Sequence, residues 1–216
     1  MLRPAESALA FADLLRTSPV IPVVTLIDPL NAQPLAAAIS RGGLRFLEIT
    51  LRSDAALDSI TLARESDLII GAGTVTTLID AQAVVAAGAQ FVVCPGMDPD
   101  IVQYCIDSQI PVIPGIATAT ELMAARAAGA TITKVFPASQ LGGPAFVRAL
   151  SAVWPNQLFM PTGGVSPSNA AEYLANPNVV AIGGSWIAPA DRVAACDWNT
   201  ITEIAKSASE IKGGTL

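Results

Sequence analysis

Two ionisable side chains, Glu48 and Lys134, stand inside apolar runs where a charge is costly to bury. Glu48 lies within FLEIT and Lys134 within ITKVF. Apolar surroundings disfavour the ammonium form of a lysine, and the neutral amine is a nucleophile that attacks carbonyl carbons to form an imine. A neighbouring carboxylate can transfer protons. The pair therefore predicts a nucleophilic lysine, and two alternatives stay open at this point: a structural Glu48–Lys134 or Glu48–Arg52 ion pair, and a lysine extended to the surface.

The composition narrows the possible chemistry. The 216-residue chain has no histidine, which excludes Ser-His triads, histidine acid–base catalysis and histidine metal sites. It has three lysines, and two of them, Lys206 and Lys212, lie near the C-terminus. The net charge of −6 argues against nucleic acid as a partner, because phosphate backbones attract basic surfaces. An amine nucleophile acting on a small molecule remains the favoured prediction.

The expected location follows from apolar runs and cysteines. No apolar run approaches the roughly 18 residues of a membrane span, and residues 1–19 are typical of an amphipathic helix rather than a signal peptide. Cys94, Cys105 and Cys196 are odd in number and lack metal-ligand spacing. We therefore expect a cytoplasmic protein with reduced thiols, no membrane partner and no metal.

The elements that must position Glu48 and Lys134 are predicted to be parallel strands. Short β-rich runs alternate with Ala-rich helical stretches, which is typical of βα units. RGGLRF, AAGAQF and AAGATI repeat one pattern, in which a helix ends, a glycine follows and a strand begins. Eight units predict a (β/α)8 TIM barrel with an N-terminal helix, as a single domain over 1–216. An open doubly wound sheet is the alternative. The predicted strands are 20–27, 45–51, 68–72, 91–94, 111–114, 132–136, 158–161 and 179–183.

Alternation along two of these strands decides where the ionisable side chains point. In a barrel, successive strand residues face the interior and the surrounding helices in turn. Glu48 and Arg52 share one face of the second strand, opposite Leu47 and Ile49, while Lys134 shares its face with Phe136. The second and sixth strands are both even-numbered and contribute to the same interior layers. We therefore expect Glu48 and Lys134 to converge near the barrel mouth.

Glycine-rich segments follow three predicted strands. TGGV (162–165) follows the seventh and GGSW (183–186) the eighth, and TIM barrels often bind phosphate with these two loops. Glycine lets backbone N–H groups approach a phosphate closely, and Ser185 adds a hydroxyl donor. GAGT (71–74) brings Thr74 to the mouth. A phosphate site is predicted, although either diglycine alone could be a plain turn.

A set of motifs spread over nearly the whole chain resembles one known family. IPVVTL, LEITLRS, GAGTV, GAQFVVCPG, IPVIPGIAT, TKVFPA, MPTGGVSPSN and IGGSW resemble the 2-keto-3-deoxy-6-phosphogluconate (KDPG) aldolases of the Entner–Doudoroff pathway. The resemblance implies a metal-free class I aldolase on a TIM barrel, usually a homotrimer. It implies cleavage of KDPG to pyruvate and glyceraldehyde 3-phosphate, and, as in many members, of 4-hydroxy-2-oxoglutarate to pyruvate and glyoxylate.

The resemblance also implies roles for individual residues. Lys134 forms the Schiff base and Glu48 is the general acid/base. Arg52 and Thr74 bind the keto-acid end, and Thr162 contacts the hydroxylated middle of the substrate. The implied substrate-binding residues are Arg52, Thr74, Phe136 and Thr162, and the implied phosphate-binding residues are Gly163, Gly164, Gly184 and Ser185. No cofactor is implied beyond the imine itself.

Some positions depart from the common pattern of the family. Ser139 replaces a frequent Glu, and GIATATE replaces GIST, and both lean toward the galactonate-type (KDPGal) aldolases. Arg52, Thr162 and GGSW instead favour the gluconate substrate. A KDPGal aldolase, a phosphate-binding barrel isomerase or synthase, and a non-catalytic phospho-sugar-binding protein are the alternative functions.

Overall fold

Helices and short parallel strands alternate along the chain in the computed structural model, which describes the backbone of residues 4–212 and the side chains of residues 8–212. None of the helices in this range is long and apolar enough to cross a membrane. The helices are α1 Pro4–Thr17, α2 Ala32–Arg41, α3 Ala56–Ala63, α4 Leu78–Ala87, α5 Pro99–Asp107, α6 Ala119–Ala127, α7 Pro144–Val153, α8 Ala170–Leu174, α9 Ala190–Ala194 and α10 Trp198–Ser209, and a 3-10 turn spans Pro29–Asn31. The strands are β1 Val20–Val24, β2 Phe46–Thr50, β3 Ile69–Gly73, β4 Phe91–Val93, β5 Val112–Ile113, β6 Gly115–Ile116, β7 Ile132–Val135, β8 Leu158–Pro161 and β9 Ile182–Gly184.

The strands pair in two parallel sheets. Six of them follow the order β5-β4-β3-β2-β1-β9, and three follow the order β6-β7-β8. Isolated parallel bridges join Phe159 to Val179 and Thr162 to Gly183. They connect β8 and the residue after it to β9 and the segment before it, and so link the two sheets. The predicted α/β fold on parallel strands is confirmed.

The predicted strand 111–114 is the element that differs most from the expectation. Only β5 lies within the predicted range, and a second short strand, β6, follows immediately after Pro114. Proline has no backbone N–H and cannot donate to a ladder, so pairing breaks there. As a consequence β5 pairs with β4 in one sheet and β6 pairs with β7 in the other.

The repeated glycines and the helix caps explain where the helices end and begin. Gly43, Gly88 and Gly129 each follow a helix with φ of 86°, 101° and 91°. This left-handed conformation costs glycine little, and it confirms the predicted helix–glycine–strand pattern. Thr77 and Thr118 close reciprocal capping boxes at the starts of α4 and α6, which satisfy backbone N–H groups of the first turn.

The core consists of two clusters on opposite faces of the sheets. Leu47 and Ile49 of β2 belong to the cluster packed against the helices, whereas Phe46 belongs to a second cluster that draws on strands of both sheets. Phe11 of α1 packs on Phe46 and Phe91 with ring centroids 6.1 and 5.5 Å apart. Burying such a ring contributes about 1.5–3 kcal/mol. The predicted N-terminal helix therefore exists, and it covers the amino ends of the strands.

Candidate active site

Lys134 and Glu48 meet above the second cluster. Glu48 projects from β2 and Lys134 from β7, and Lys134 Nζ lies 3.7 Å from Glu48 Oε1. Glu48 is fully buried and Lys134 is 6% exposed. The surface-extended lysine of the alternative reading is therefore not observed. The two strands belong to different sheets, so the shared interior brings amine and carboxylate together.

The Glu48 carboxyl group is buried, and few neighbouring groups stabilise its charged form. Neither of its oxygens accepts a hydrogen bond from the described part of the chain, and 3.7 Å to Lys134 is longer than a hydrogen bond. Burial raises the pKa of Glu48 above its usual value, and the charges of Lys134 and Arg52 only partly oppose that rise. A carboxylate with a raised pKa is a stronger base than an ordinary glutamate, which suits it to take a proton from a substrate.

Gly73, at the end of β3, makes room for this carboxylate. A Cβ atom built on Gly73 would overlap the Glu48 carboxylate. Any larger residue at this position would push the Glu48 side chain away from Lys134. Gly73 of the GAGT segment therefore leaves room for a side chain of the neighbouring strand β2.

A cavity of about 340 Å³ opens above the pair at the carboxyl ends of the strands. All ten residues proposed from the sequence line it: Glu48, Arg52, Thr74, Lys134, Phe136, Thr162, Gly163, Gly164, Gly184 and Ser185. Five other residues also line it: Val23, Thr50, Pro95, Val165 and Gly183. Val165 and Gly183 belong to the two predicted glycine loops, whereas Val23, Thr50 and Pro95 were not proposed as site residues. Thr50 follows Glu48 by two positions on the same strand face, so alternation could have found it.

Phe136 and Thr74 shape the entrance to the cavity. The Phe136 ring centroid lies 5.2 Å from Lys134 Nζ, within the range of a cation–π contact. Thr74 has a φ of 59°, a left-handed conformation that a β-branched residue rarely adopts. Such strain costs about 1–3 kcal/mol and is concentrated at functional sites. This outlier makes the end of β3 a candidate functional position.

The two glycine loops form another part of the rim, with Gly163 beside the Phe136 ring. Gly163 and Gly164 have φ of 92° and 73°, and a Cβ on Gly164 would overlap the Ser139 side chain. Asn169 Nδ2 donates to the Gly164 carbonyl at 3.0 Å, which braces this loop from outside the cavity. On the second loop, a Cβ at Gly184 would overlap the Trp186 ring. Both loops therefore need glycine to keep their shape.

Acidic and thiol groups form no cluster for a metal ion within the described residues. No group of three or more His, Cys, Asp or Glu side chains with suitable spacing occurs there. The buried Cys94 follows β4, and burial raises the pKa of its thiol to about 12. This thiol stays protonated at neutral pH and is a poor nucleophile.

The fold and site define a class of protein: a parallel α/β chain with a buried amine–carboxylate pair beneath glycine loops. A family model described as KDPG and KHG aldolase matches residues 11–204. The chain belongs to this family, whose members are carbon–carbon lyases, and the family predicted from the motifs is confirmed.

Individual relatives agree with the family. The chain is 48% identical to a 2-dehydro-3-deoxy-phosphogluconate aldolase of Pseudoalteromonas atlantica, over 91% of this chain and 92% of that one. It is 39% identical, with a TM-score of 0.87, to a KDPG aldolase of Legionella pneumophila solved with pyruvate as a covalent carbinolamine, covering 96% and 98% of the chains. A native KDPGal structure is 30% identical with a TM-score of 0.79, covering 89% and 95%.

Proposed function

We propose that this protein is a class I aldolase that cleaves KDPG into pyruvate and glyceraldehyde 3-phosphate. The observation that carries the proposal is the buried pair of Lys134 and Glu48, 3.7 Å apart, at the base of a cavity rimmed by glycine loops. The carbinolamine described for the Legionella relative supports covalent chemistry at the lysine. The family name also includes KHG, so we propose 4-hydroxy-2-oxoglutarate as a second substrate, cleaved to pyruvate and glyoxylate.

The proposed reaction uses the amine first and the carboxylate second. Neutral Lys134 attacks the C2 carbonyl of KDPG, and loss of water leaves an iminium that withdraws electrons from C3. Glu48 takes the proton of the C4 hydroxyl through an intervening water, and the C3–C4 bond breaks. Glyceraldehyde 3-phosphate leaves, the enamine is protonated at C3, and hydrolysis releases pyruvate and free Lys134.

The cavity walls suggest how the substrate lies. We assign the keto-acid end to Arg52 and Thr74, with Phe136 beside the imine, and the hydroxylated middle to Thr162. The phosphate is assigned to the rim formed by the two glycine loops, where backbone N–H groups can donate to it. These phosphate contacts are Gly163, Gly164, Gly184 and Ser185. The volume of about 340 Å³ is within the range of small-molecule sites.

We assign KDPG rather than its C4 epimer KDPGal as the substrate, because the residues that distinguish the two types of aldolase differ in their distance from the cavity. Arg52 and Thr162, which favour gluconate, line the cavity. Ser139, which leans toward galactonate, packs behind Gly164 and is not among the lining residues. We expect faster cleavage of KDPG than of its C4 epimer when both are assayed by pyruvate release. Equal or faster cleavage of KDPGal would reverse the assignment.

We further propose that the two sheets close into one eight-stranded (β/α)8 barrel, and that 1–216 is a single domain. The Thr162–Gly183 bridge supports closure on one side, and the continuity of β5 and β6 through Pro114 supports it on the other. The second core cluster is shared by both sheets, as a barrel interior would be.

Its setting is proposed to be the cytoplasm, and its main ligand a phosphorylated keto acid. Cys94 and Cys105 are free and buried, which is typical of proteins kept in a reducing compartment. The net charge of −6 disfavours nucleic acid. We propose no metal in the reaction, because the lysine amine supplies the electron sink.

A homotrimer is proposed because the family implies one, and exposed apolar side chains support association between copies of the chain. Ile27, Leu30 and Ile79 are 79%, 73% and 77% exposed. Leu30 lies on the 3-10 turn and Ile79 on α4, and both of these elements pack against α3. Such exposure favours burial between copies of the chain. We expect light scattering to give three 22.2 kDa chains, and Ile79→Glu to dissociate them. Val153→Glu, on the exposed face of α7, is the control that should leave the trimer intact. A wild-type monomer or dimer would contradict the proposal.

The central experiment is reductive trapping. Incubation with pyruvate and borohydride should label Lys134 and block trypsin there, giving a modified peptide spanning residues 127–148. We expect the labelling to persist in excess chelator, since no step is assigned to a metal. Label on Lys206 instead, or no label, would contradict the proposed function.

The Gly184→Ala variant tests the phosphate rim. The new Cβ would collide with the Trp186 ring and displace the loop, so we expect KM for KDPG to rise about tenfold or more, as when one charge-assisted hydrogen bond is lost. Cleavage of 4-hydroxy-2-oxoglutarate, which has no phosphate, should change little. Gly96→Ala is the matched control, because a Cβ there meets nothing within 4 Å. Equal losses on both substrates would count against a phosphate site here.

A further inference from the structure

The hydroxyl of Thr50 connects Arg52 to the first two strands. Arg52 Nε donates to Thr50 Oγ1 at 3.2 Å, and Thr50 Oγ1 donates to the Val24 carbonyl at 3.1 Å. Thr25 Oγ1 lies 2.8 Å from the same oxygen. A hydroxyl has one proton, and that of Thr50 goes to Val24, so Thr25 is the donor in this last bond. Thr50 is 1% exposed, and its hydrogen-bonding capacity is completely used.

Arg52 itself is an exposed side chain held at one nitrogen. Only its Nε has a hydrogen-bond partner in the described part of the chain, and no carboxylate of that part lies within 4.0 Å of it. The two terminal nitrogens, Nη1 and Nη2, remain available over the cavity. A carboxylate can accept two parallel hydrogen bonds from such a pair.

We propose that Thr50 is a positioning residue that orients the Arg52 guanidinium toward the keto-acid carboxylate. This inference rests on the proposed function, in which Arg52 binds that carboxylate. Thr50 accepts from the Nε–H, which a carboxylate bound to the Nη pair does not use. Its own position is set by β1 and β2, so the buried sheet determines the direction of an exposed arginine.

The physical benefit is preorganisation. A free arginine samples many rotamers, and ordering it on binding weakens the affinity. Anchoring Nε in the unliganded protein removes part of that cost before the keto acid arrives. The bond thus acts on binding of the carboxylate and leaves the imine step at Lys134 nearly unchanged.

The test measures exchange of pyruvate methyl protons with D2O as a function of pyruvate concentration. For Thr50→Val, which keeps the shape and removes the hydroxyl, we expect the half-saturating pyruvate concentration to rise about tenfold. The exchange rate at saturation should change by less than about threefold. Thr50→Ser should restore the wild-type concentration dependence. Thr25→Val, which leaves the Thr50–Arg52 bond in place, should shift it by less than about twofold.

Two further arms separate positioning from general damage. Pyruvamide has no carboxylate, so Thr50→Val should leave its half-saturating concentration unchanged. In an Arg52→Ala background, Thr50→Val should add no further loss, because the residue on which it acts is gone. If thermal unfolding shows that Thr50→Val is not folded, Thr50→Cys, whose thiol is a weak hydrogen-bond partner, makes the same comparison.

The outcomes distinguish this inference from the proposed function. A wild-type protein that exchanges pyruvate protons while Thr50→Val behaves identically overturns the inference and leaves the aldolase assignment standing. Equal losses with pyruvate and pyruvamide, or full additivity with Arg52→Ala, also overturn it. A wild-type protein that neither exchanges nor traps pyruvate overturns both.

Discussion

Replacing Lys134 with methionine is expected to abolish pyruvate trapping and to lower KDPG cleavage by about 10⁴-fold or more. Methionine resembles lysine in length but has no amine, so no imine can form and C3–C4 cleavage loses its electron sink. Losses of this size are typical when a covalent nucleophile is removed. Borohydride labelling and pyruvate release from KDPG measure the two effects separately.

Lys134→Arg separates amine chemistry from the structural ion pair. Arginine keeps a positive charge beside Glu48, but its guanidinium does not form an imine at neutral pH. We therefore expect this variant to be as inactive as Lys134→Met, while unfolding at a temperature nearer to that of the wild type. Lys206→Met, on the C-terminal helix α10, should retain full activity. An active Lys134→Arg enzyme would show that Lys134 serves only the ion pair.

Glu48→Gln is expected to lower kcat for KDPG cleavage by about 10²–10⁴-fold while Lys134 can still be labelled. Glutamine keeps the size of the side chain but cannot take the C4 hydroxyl proton. Cleavage needs the carboxylate form, so the wild-type rate should fall as the pH drops through the Glu48 pKa. Because burial raises this pKa from 4.5, the fall should occur above the ordinary range of glutamate.

The pH profile distinguishes a catalytic Glu48 from a structural one. In Glu48→Gln this acidic limb should disappear and a low, flat rate should remain. Glu65→Gln removes an exposed carboxylate that pairs with Arg64 at 3.1 Å, and it should leave both rate and profile unchanged. A Glu48→Gln enzyme with the wild-type kcat and the same acidic limb would assign proton transfer to another group.

Local sequence patterns predicted much of this fold because they act over few residues. Period-two alternation placed Glu48 and Lys134 on the interior faces of their strands, since neighbouring residues of a strand point to opposite sides. Glycine after each helix predicted the turns at Gly43, Gly88 and Gly129, because a left-handed residue is favourable for glycine alone. The break between β5 and β6 was not predicted, although Pro114, which has no backbone N–H to donate, indicates such a break.

Contacts across the two sheets needed the tertiary structure. No pattern in the chain encodes the 3.7 Å between Lys134 and Glu48, which depends on the curvature and register of strands far apart in sequence. The room that Gly73 leaves for the Glu48 carboxylate is likewise a contact between strands. The strained φ of Thr74 is visible only in coordinates.

The sequence by itself determined the residue types, the faces of the strands on which they lie, and the family. Those properties follow from alternation, turn chemistry and motifs, all of which are written along the chain. Only the tertiary structure decided that Glu48 is buried without a hydrogen bond from residues 8–212 and that Thr50 holds Arg52. The reason is physical: desolvation and hydrogen-bond geometry depend on which strands close around a side chain, and the local sequence does not contain that information.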